Sequence, residues 1–171
     1  MSITRREWML AAACWAEVLR AQPKQFAWFD AAAASEIESI AAEILPDDDT
    51  PGARQAGVIW FIDGALAGYD QDKRELYRRG LAEAQAKRAE LFPGSKSIAG
   101  LEREQRIALL KAIEKTEFFQ QVRQHTALGF FGHPKYGGNR GEAGWKLTGI
   151  EHAMQYAPPF GYYDAEASKS K

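Results

Sequence analysis

Asp63 is the residue whose surroundings most suggest chemistry, because it interrupts the apolar stretch VIWFIDGALAG. A carboxylate in such a stretch must find hydrogen-bond donors or lose its charge, and either outcome can produce an acid or a base. Asp70 and Asp72 follow closely enough to act with it as paired carboxylates. The alternative is structural: Asp63 is a buried polar tie that holds helices in register. The cations that could pair with it are Arg54, Lys73 and Arg74.

The other chemically useful side chains form no catalytic or metal-binding motif. His125, His133 and His152 lack the spacing of paired helical metal ligands, so we expect surface or capping positions for them. Cys14 is the sole cysteine, which excludes an internal disulfide, and its alanine-rich surroundings offer no cation to activate a thiolate. We therefore expect no cofactor, metal or catalysis in this chain alone. The alternative is a self-sufficient enzyme or metal protein that uses Asp63 and His133.

The stretch GFFGHPKYGGNRGEAGWKLTGI, residues 129–150, combines glycines with aromatic residues and an arginine. Its GGNRGEAG segment resembles a dinucleotide-binding fingerprint, but no strand precedes it. Aromatic residues and arginine contribute much of the binding energy of protein interfaces, so the composition of this stretch favours a surface that binds another protein. Glycine lets the backbone adopt positive φ or approach another chain closely, and Arg140 can bind a partner carboxylate through two hydrogen bonds.

In this interpretation Phe130 and Phe131 lie mostly inside the protein, while other side chains of the stretch face a partner. The alternative is that all the aromatics turn inward and close the bottom of the core. The side chains expected to reach outward are Tyr136, Asn139, Arg140 and Trp145. The expected partner-binding residues are Phe131, His133, Tyr136, Gly137, Gly138, Asn139, Arg140 and Trp145.

Composition limits the chain to one domain without strong charge. With 171 residues and 46% hydrophobic content, it can bury an adequate core. A net charge of −1 gives no field that would attract nucleic acid or an anionic membrane. No apolar run approaches the roughly 18–20 residues that a membrane-spanning helix needs.

Helical periodicity predicts the elements that position these residues. Asp30 is an N-cap in front of apolar residues spaced by three and four. Thr50 and Pro51 are predicted as the cap and first residue of a second helix, with the acidic run 47–49 stabilising its dipole. Residues 58–62 are apolar on every side, as expected of a central buried helix.

Three further helices are predicted after residue 70. The stretch 70–92 is charged and amphipathic, and Thr116 divides the stretch 101–132 into two helices as a cap. The inner face of the first is expected to contain Leu76, Tyr77, Leu81, Ala84 and Leu91. The core residues expected from the other two are Leu109, Leu110, Ile113, Phe118, Phe119 and Val122. The sequence thus predicts an all-α, compact single-domain helical bundle with a long Gly/aromatic-rich C-terminal loop region.

The N-terminus carries a Thr-Arg-Arg pattern at residues 4–6, followed by Trp8 and Met9. This pattern resembles a twin-arginine export signal and predicts a periplasmic location, with the cytoplasm as the alternative. The competing interpretation is an ordinary amphipathic first helix. The predicted division is a leader or retained helix at 1–22, a helical domain at 23–158 and a polar tail at 159–171.

Two separated segments carry a family resemblance: DDDTPGARQAGVIWFIDGALAGYD and, much later, GFFGHPKYGGNRGEAGWKLTGI. The chain resembles the small, third subunit of gluconate 2-dehydrogenase from about residue 29 to residue 150. The resemblance implies a partner: a large flavoprotein of the glucose-methanol-choline (GMC) oxidoreductase type, often with a cytochrome c. FAD would be held by that large subunit, which oxidises a sugar, sugar acid or glycoside.

For this chain the resemblance implies a non-catalytic role that stabilises, matures and escorts the large subunit. The complex would be of the gluconate 2-dehydrogenase or glucoside 3-dehydrogenase type. The alternative within the same resemblance is an export chaperone that dissociates after delivery.

Overall fold

The computed structural model describes residues 25–150, which form α-helices and short 3₁₀ turns but no strand. The α-helices are α1 (Ala31–Ile44), α2 (Val58–Ala67), α3 (Arg74–Leu91), α4 (Arg103–Ile113), α5 (Glu117–Phe131) and α6 (Ala143–Thr148). The 3₁₀ turns are Gln71–Lys73, Pro134–Tyr136 and Arg140–Glu142. The all-α prediction is confirmed for this part of the chain. The predicted leader and tail, together with His152, lie outside the described residues.

Helix α2 is the apolar centre of the bundle. Val58, Ile62 and Leu66 have no solvent-exposed surface, and the helix contacts both α1 and α5. Burial on several sides explains why its sequence lacks a polar stripe. The prediction of a central buried helix is therefore confirmed, although Trp60 is only half-buried.

The predicted start of α2 at Thr50 and Pro51 is wrong. Residues 51 and 52 are irregular, residues 53–57 form turns, and the helix begins at Val58 after Gly57, which has a left-handed φ of 67°. The acidic run therefore stabilises a loop and not a helix dipole. The carboxylate of Asp48 accepts from the amide of Thr50 at 2.9 Å, and that bond lowers the pKa of Asp48.

Helices α1 and α5 begin where the sequence predicts. The Asp30 carboxylate accepts from the Ala33 amide at 2.7 Å, and the Thr116 hydroxyl accepts from the Phe119 amide at 3.2 Å. Such caps satisfy backbone donors that the first helical turn leaves unpaired. The predicted core residues of α4 and α5 are buried except Phe119, which is half-buried.

Helix α3 packs on α4 and α5 with a narrower buried face than predicted. Tyr77 and Ala84 are buried, but Leu91 is 40% exposed and does not belong to the inner face. Gly80 also lies in that buried face. The Phe118 side chain packs directly on it, and a Cβ atom at residue 80 would overlap that side chain. Small residues at a helix contact allow such close approach of a neighbouring side chain.

Residues 132–150, called the glycine lobe from here on, fold back on α2 and α5. They contain two of the 3₁₀ turns and α6, which contacts α5. Helix α6 begins at Ala143 and ends at Thr148. No helix within residues 25–150 is long and apolar enough to cross a membrane.

Candidate partner-binding surface

Asp63 ties the segment that precedes α1 to the middle of α2. Its side chain is 4% exposed, and its two oxygens accept from the amides of Ala27, Trp28 and Phe29 at 2.7, 2.9 and 3.0 Å. Three N–H donors can satisfy a buried carboxylate without a cation. Asp63 thus fixes the chain's entry into α1.

The cationic partners expected for Asp63 are wrong, because each pairs elsewhere. Arg54 lies 3.6 Å from Glu38, Lys73 lies 3.0 Å from Asp72, and Arg74 donates to the carbonyl oxygens of residues 66 and 67. None of the hydrogen bonds of Asp63 involves His133. The structure does not join these two residues into one acid–base site.

His125 lies in the core, so the surface or capping position expected for it is wrong. Its side chain is 1% exposed, with the Tyr77 hydroxyl 2.9 Å from Nδ1 and the Asp70 carboxylate 3.1 Å from Nε2. The side-chain amide of Gln121 also lies 2.9 Å from Nε2. A carboxylate beside Nε2 favours the tautomer in which Nε2 carries the proton and Nδ1 accepts from the Tyr77 hydroxyl. The Gln121 amide then turns its oxygen, and not its NH₂ group, towards Nε2.

Burial governs the titration of this pair. Loss of hydration lowers the pKa of His125, and the nearby charge of Asp70 opposes that shift. Burial also raises the pKa of Tyr77 well above its usual value. Both rings are therefore neutral near pH 7 and join α3 to α5 through the core.

The glycines of the lobe bring it close to its own chain. A Cβ atom on Gly138 would overlap the backbone of Gly129, and one on Gly144 would overlap the carbonyl of Phe130. Gly137 adopts the expected positive φ, at 103°. The close approach expected towards another chain therefore occurs within this one at Gly138, which is buried.

Asn139 and Trp145 do not reach outward as expected. Asn139 is fully buried; its amide donates to the carbonyl of Gly132, and its oxygen accepts from the amide of Gly144, both at 2.8 Å. Trp145 is half-buried, and its indole N–H donates to the carbonyl of Phe131 at 2.7 Å. These bonds satisfy backbone groups of an irregular segment and fix its shape.

Six large apolar side chains are exposed in the glycine lobe, on α5 and just after α2. Phe130 is buried as expected, but Phe131 is 40% exposed, against the expectation that it lies mostly inside. Tyr136 reaches outward as expected, at 56% exposed. The exposed large apolar side chains of this surface are Tyr69, Leu128, Phe131, Tyr136, Leu147 and Ile150. We call these residues the apolar patch, of which Leu147 also lines a second groove; within residues 25–150 the one other exposed large apolar side chain is Leu91.

A groove of about 340 Å³ runs through the apolar patch and is called the aromatic groove. Tyr69, Leu128 and Tyr136 line it together with His133. His133 is exposed and caps the turn after it, because Nδ1 accepts from the amide of Lys135 at 3.1 Å. The surface or capping position expected for this histidine is thus confirmed.

A second groove lies where the two motif segments of the sequence meet. The amide of Arg140 donates to the carbonyl of Ala56 at 3.0 Å, and its guanidinium lies 5.4 Å from the ring centre of Trp60. Gly57 has a positive φ of 67°, which favours glycine, and a Cβ atom there would also push the Arg140 side chain aside. The groove encloses about 570 Å³ and is called the basic groove. Its lining includes Thr50, Pro51, Gln55, Arg140, Lys146 and Leu147.

Comparison with the sequence profiles of known families assigns this chain to one of them. The sequence profile of the family "Gluconate 2-dehydrogenase subunit 3" matches residues 31–151, more than half of the chain. This chain belongs to that family. No curated protein and no solved structure matches it. Membership in the subunit 3 family implies that the chain is a subunit of an oxidoreductase complex.

Within this subunit 3 chain, the residues predicted to bind a partner divide into three groups. Phe131, His133, Tyr136 and Arg140 are exposed, Gly137 and Trp145 are half-buried, and Gly138 and Asn139 are buried. Sequence reasoning missed Tyr69 and Leu128, which lie on other elements and join the patch only through folding. No group of three or more His, Cys, Asp or Glu side chains in residues 25–150 could hold a metal ion.

Proposed function

We propose that this chain is the non-catalytic small subunit of an FAD-dependent sugar, sugar-acid or glycoside dehydrogenase. It docks onto a large flavoprotein subunit of the GMC type through the apolar patch, and it stabilises and matures that subunit. The single observation that supports docking here is the concentration of exposed apolar side chains on and beside the glycine lobe.

Keeping apolar side chains exposed to water is energetically unfavourable for a protein that has no partner. Burying apolar area is worth about 25 cal/mol per Å² removed from water, so a patch of this kind favours association. Tyrosine and phenylalanine lose little side-chain entropy on binding and are effective interface anchors. Tyr136 and Phe131 occupy such positions, and the aromatic groove can receive an apolar side chain of the partner.

The packing of the lobe supports the same proposal. Buried Asn139 and the close contact of Gly138 with Gly129 hold an irregular segment in one shape. A surface fixed before binding loses less entropy when the complex forms. The lobe therefore presents its aromatic side chains in a binding-ready arrangement.

Stabilisation of the large subunit follows from mass action. A subunit that binds the folded form of its partner and not the unfolded form stabilises the fold, by an amount that grows with affinity. In this proposal FAD and the oxidation chemistry belong to the large subunit, and this chain supplies no cofactor ligand. Escort across the membrane is the further part of the proposal, and it rests on the twin-arginine pattern at residues 4–6.

The test is purification of the tagged full-length chain from its native cells, followed by mass spectrometry and visible spectroscopy. We expect a GMC-type flavoprotein in stoichiometric amount, and sugar-dependent dye reduction by the complex but not by the chain alone. Dye reduction by the isolated chain, or absence of any flavoprotein, contradicts the proposal. Co-purification from the cytoplasm but not from the periplasm contradicts the stable subunit in favour of a dissociating chaperone.

A further inference from the structure

The basic groove carries cations that the described part of the chain leaves without a counter-charge. Neither the Arg140 guanidinium nor the Lys146 ammonium forms a hydrogen bond or ion pair with another described residue. Among the residues that line the groove, none is acidic. The carboxylates of Asp47 and Asp48, which precede it in sequence, accept from the amides of Gly52 and Thr50.

The arginine is held in place although its guanidinium donates a hydrogen bond to no other described residue. Its backbone amide is fixed to Ala56, its side chain lies against Gly57, and its guanidinium lies over the Trp60 ring. Trp60 itself stacks on Phe26 with ring centres 4.2 Å apart. A guanidinium held on an aromatic face keeps its N–H edge for a planar acceptor, and a carboxylate matches that edge with two hydrogen bonds.

The groove also has apolar side chains beside its charges. Leu147, which is 51% exposed, and Pro51 of the first motif segment both line it. A small free anion would contact only the cations. A protein segment that carries an acidic side chain next to an apolar one would use both parts of the lining.

We propose that the basic groove binds an acidic segment of the large flavoprotein subunit, with an Asp or Glu carboxylate on Arg140 and Lys146. This inference rests on the proposed function and adds a second contact to the apolar patch. Charge pairing of this kind sets register and partner choice, while the apolar patch supplies most of the buried area.

Carbodiimide cross-linking of the purified native complex tests the pairing directly, because it joins a lysine amine only to a carboxylate in contact with it. We expect mass spectrometry to find Lys146 linked to an Asp or Glu of the large subunit. Lys111, which is exposed on α4 away from the groove, is the control and should remain unlinked to that subunit.

The affinity of the complex provides the second readout. Lys146→Gln should raise Kd at least about fivefold and reduce its dependence on salt, whereas Lys111→Gln should leave both unchanged. Arg140→Gln should weaken the complex further. Because Arg140 also packs on Trp60, the melting temperature of this variant is measured together with its affinity, so that a loss of stability is recognised. Lys146→Gln is the decisive variant, since the Lys146 side chain is exposed and forms no hydrogen bond or ion pair with another described residue.

The outcomes separate this inference from the proposed function. If the wild-type chain forms no complex with a flavoprotein, the proposed function itself is contradicted. If the complex forms, yet Lys146 yields no cross-link and Lys146→Gln binds with wild-type affinity and salt dependence, only the assignment of the basic groove is overturned.

Discussion

The α-carbon of Gly138 lies so close to the carbonyl of Gly129 that a Cβ atom there would overlap the backbone of α5. This contact joins the glycine lobe to the helix that precedes it without any side chain between them. Backbone atoms held by helical hydrogen bonds cannot move aside as a flexible side chain would. The position of the lobe therefore depends on the absence of a side chain at residue 138.

Gly138→Ala should destabilise the protein by about 1–3 kcal/mol, because the added methyl group must displace the backbone of α5 or the lobe. The melting temperature, measured by circular dichroism, should fall by on the order of 5 °C. Gly94→Ala is the matched control, since a Cβ atom there meets no atom within 4 Å. A melting temperature for Gly138→Ala equal to that of Gly94→Ala would show that the lobe does not need this contact.

Asp63→Asn should lower the free energy of unfolding by about 2 kcal/mol. An asparagine retains one acceptor oxygen for three amides and turns an NH₂ group towards backbone donors. Urea unfolding followed by tryptophan fluorescence gives this quantity. The control Asp49→Asn changes an exposed carboxylate and should lie within about 0.5 kcal/mol of wild type. Equal stability of the two variants would refute the tie between Asp63 and residues 27–29.

The stability of the protein should decrease as the pH falls through about 6.5, partly because of His125. Burial lowers the pKa of this histidine in the folded state below its ordinary value of 6.5. Between the lowered and the unfolded value, the unfolded chain binds more protons, so acid favours unfolding. The measurement is the urea midpoint at several pH values between 8 and 5.5.

Two histidine variants make that measurement specific. His125→Gln should be less stable at pH 8, because Tyr77 and Asp70 lose their ring partner, and should show a flatter pH dependence. His133→Gln, which alters an exposed histidine, should keep the slope of the wild type. An unchanged slope in His125→Gln would mean that other groups produce the acid sensitivity.

Local signals in the sequence predicted the helices because caps and periodicity act over a few residues. Asp30 and Thr116 each bind an amide three residues ahead, which a sequence pattern can express. The prediction for the start of α2 failed because Thr50 has the residue type of a helix cap, whereas in the structure the Thr50 amide donates to the Asp48 carboxylate in a turn. The same types thus serve either a helix or a loop, and the choice depends on tertiary contacts such as that of the Ala53 amide with the Leu45 carbonyl.

The candidate surface was only partly predictable for a related reason. The composition of the lobe correctly indicated exposure of Tyr136, but Asn139 satisfies backbone groups that exist only once the lobe is folded. Tyr69 and Leu128 join the aromatic groove from distant parts of the chain. Such long-range juxtapositions leave no mark in the local pattern of residue types.

The central claim is that the apolar patch binds the large flavoprotein subunit, and the dissociation constant of patch variants tests it most directly. Tyr136→Ser and Leu128→Ser remove exposed side chains of the aromatic groove, and Leu91→Ser removes an exposed leucine outside the patch. Each patch variant should retain its melting temperature and bind the purified large subunit about tenfold more weakly, a loss of about 1.4 kcal/mol. Leu91→Ser should bind as the wild type does. Wild-type affinity in both patch variants, or equal weakening by Leu91→Ser, would contradict the account.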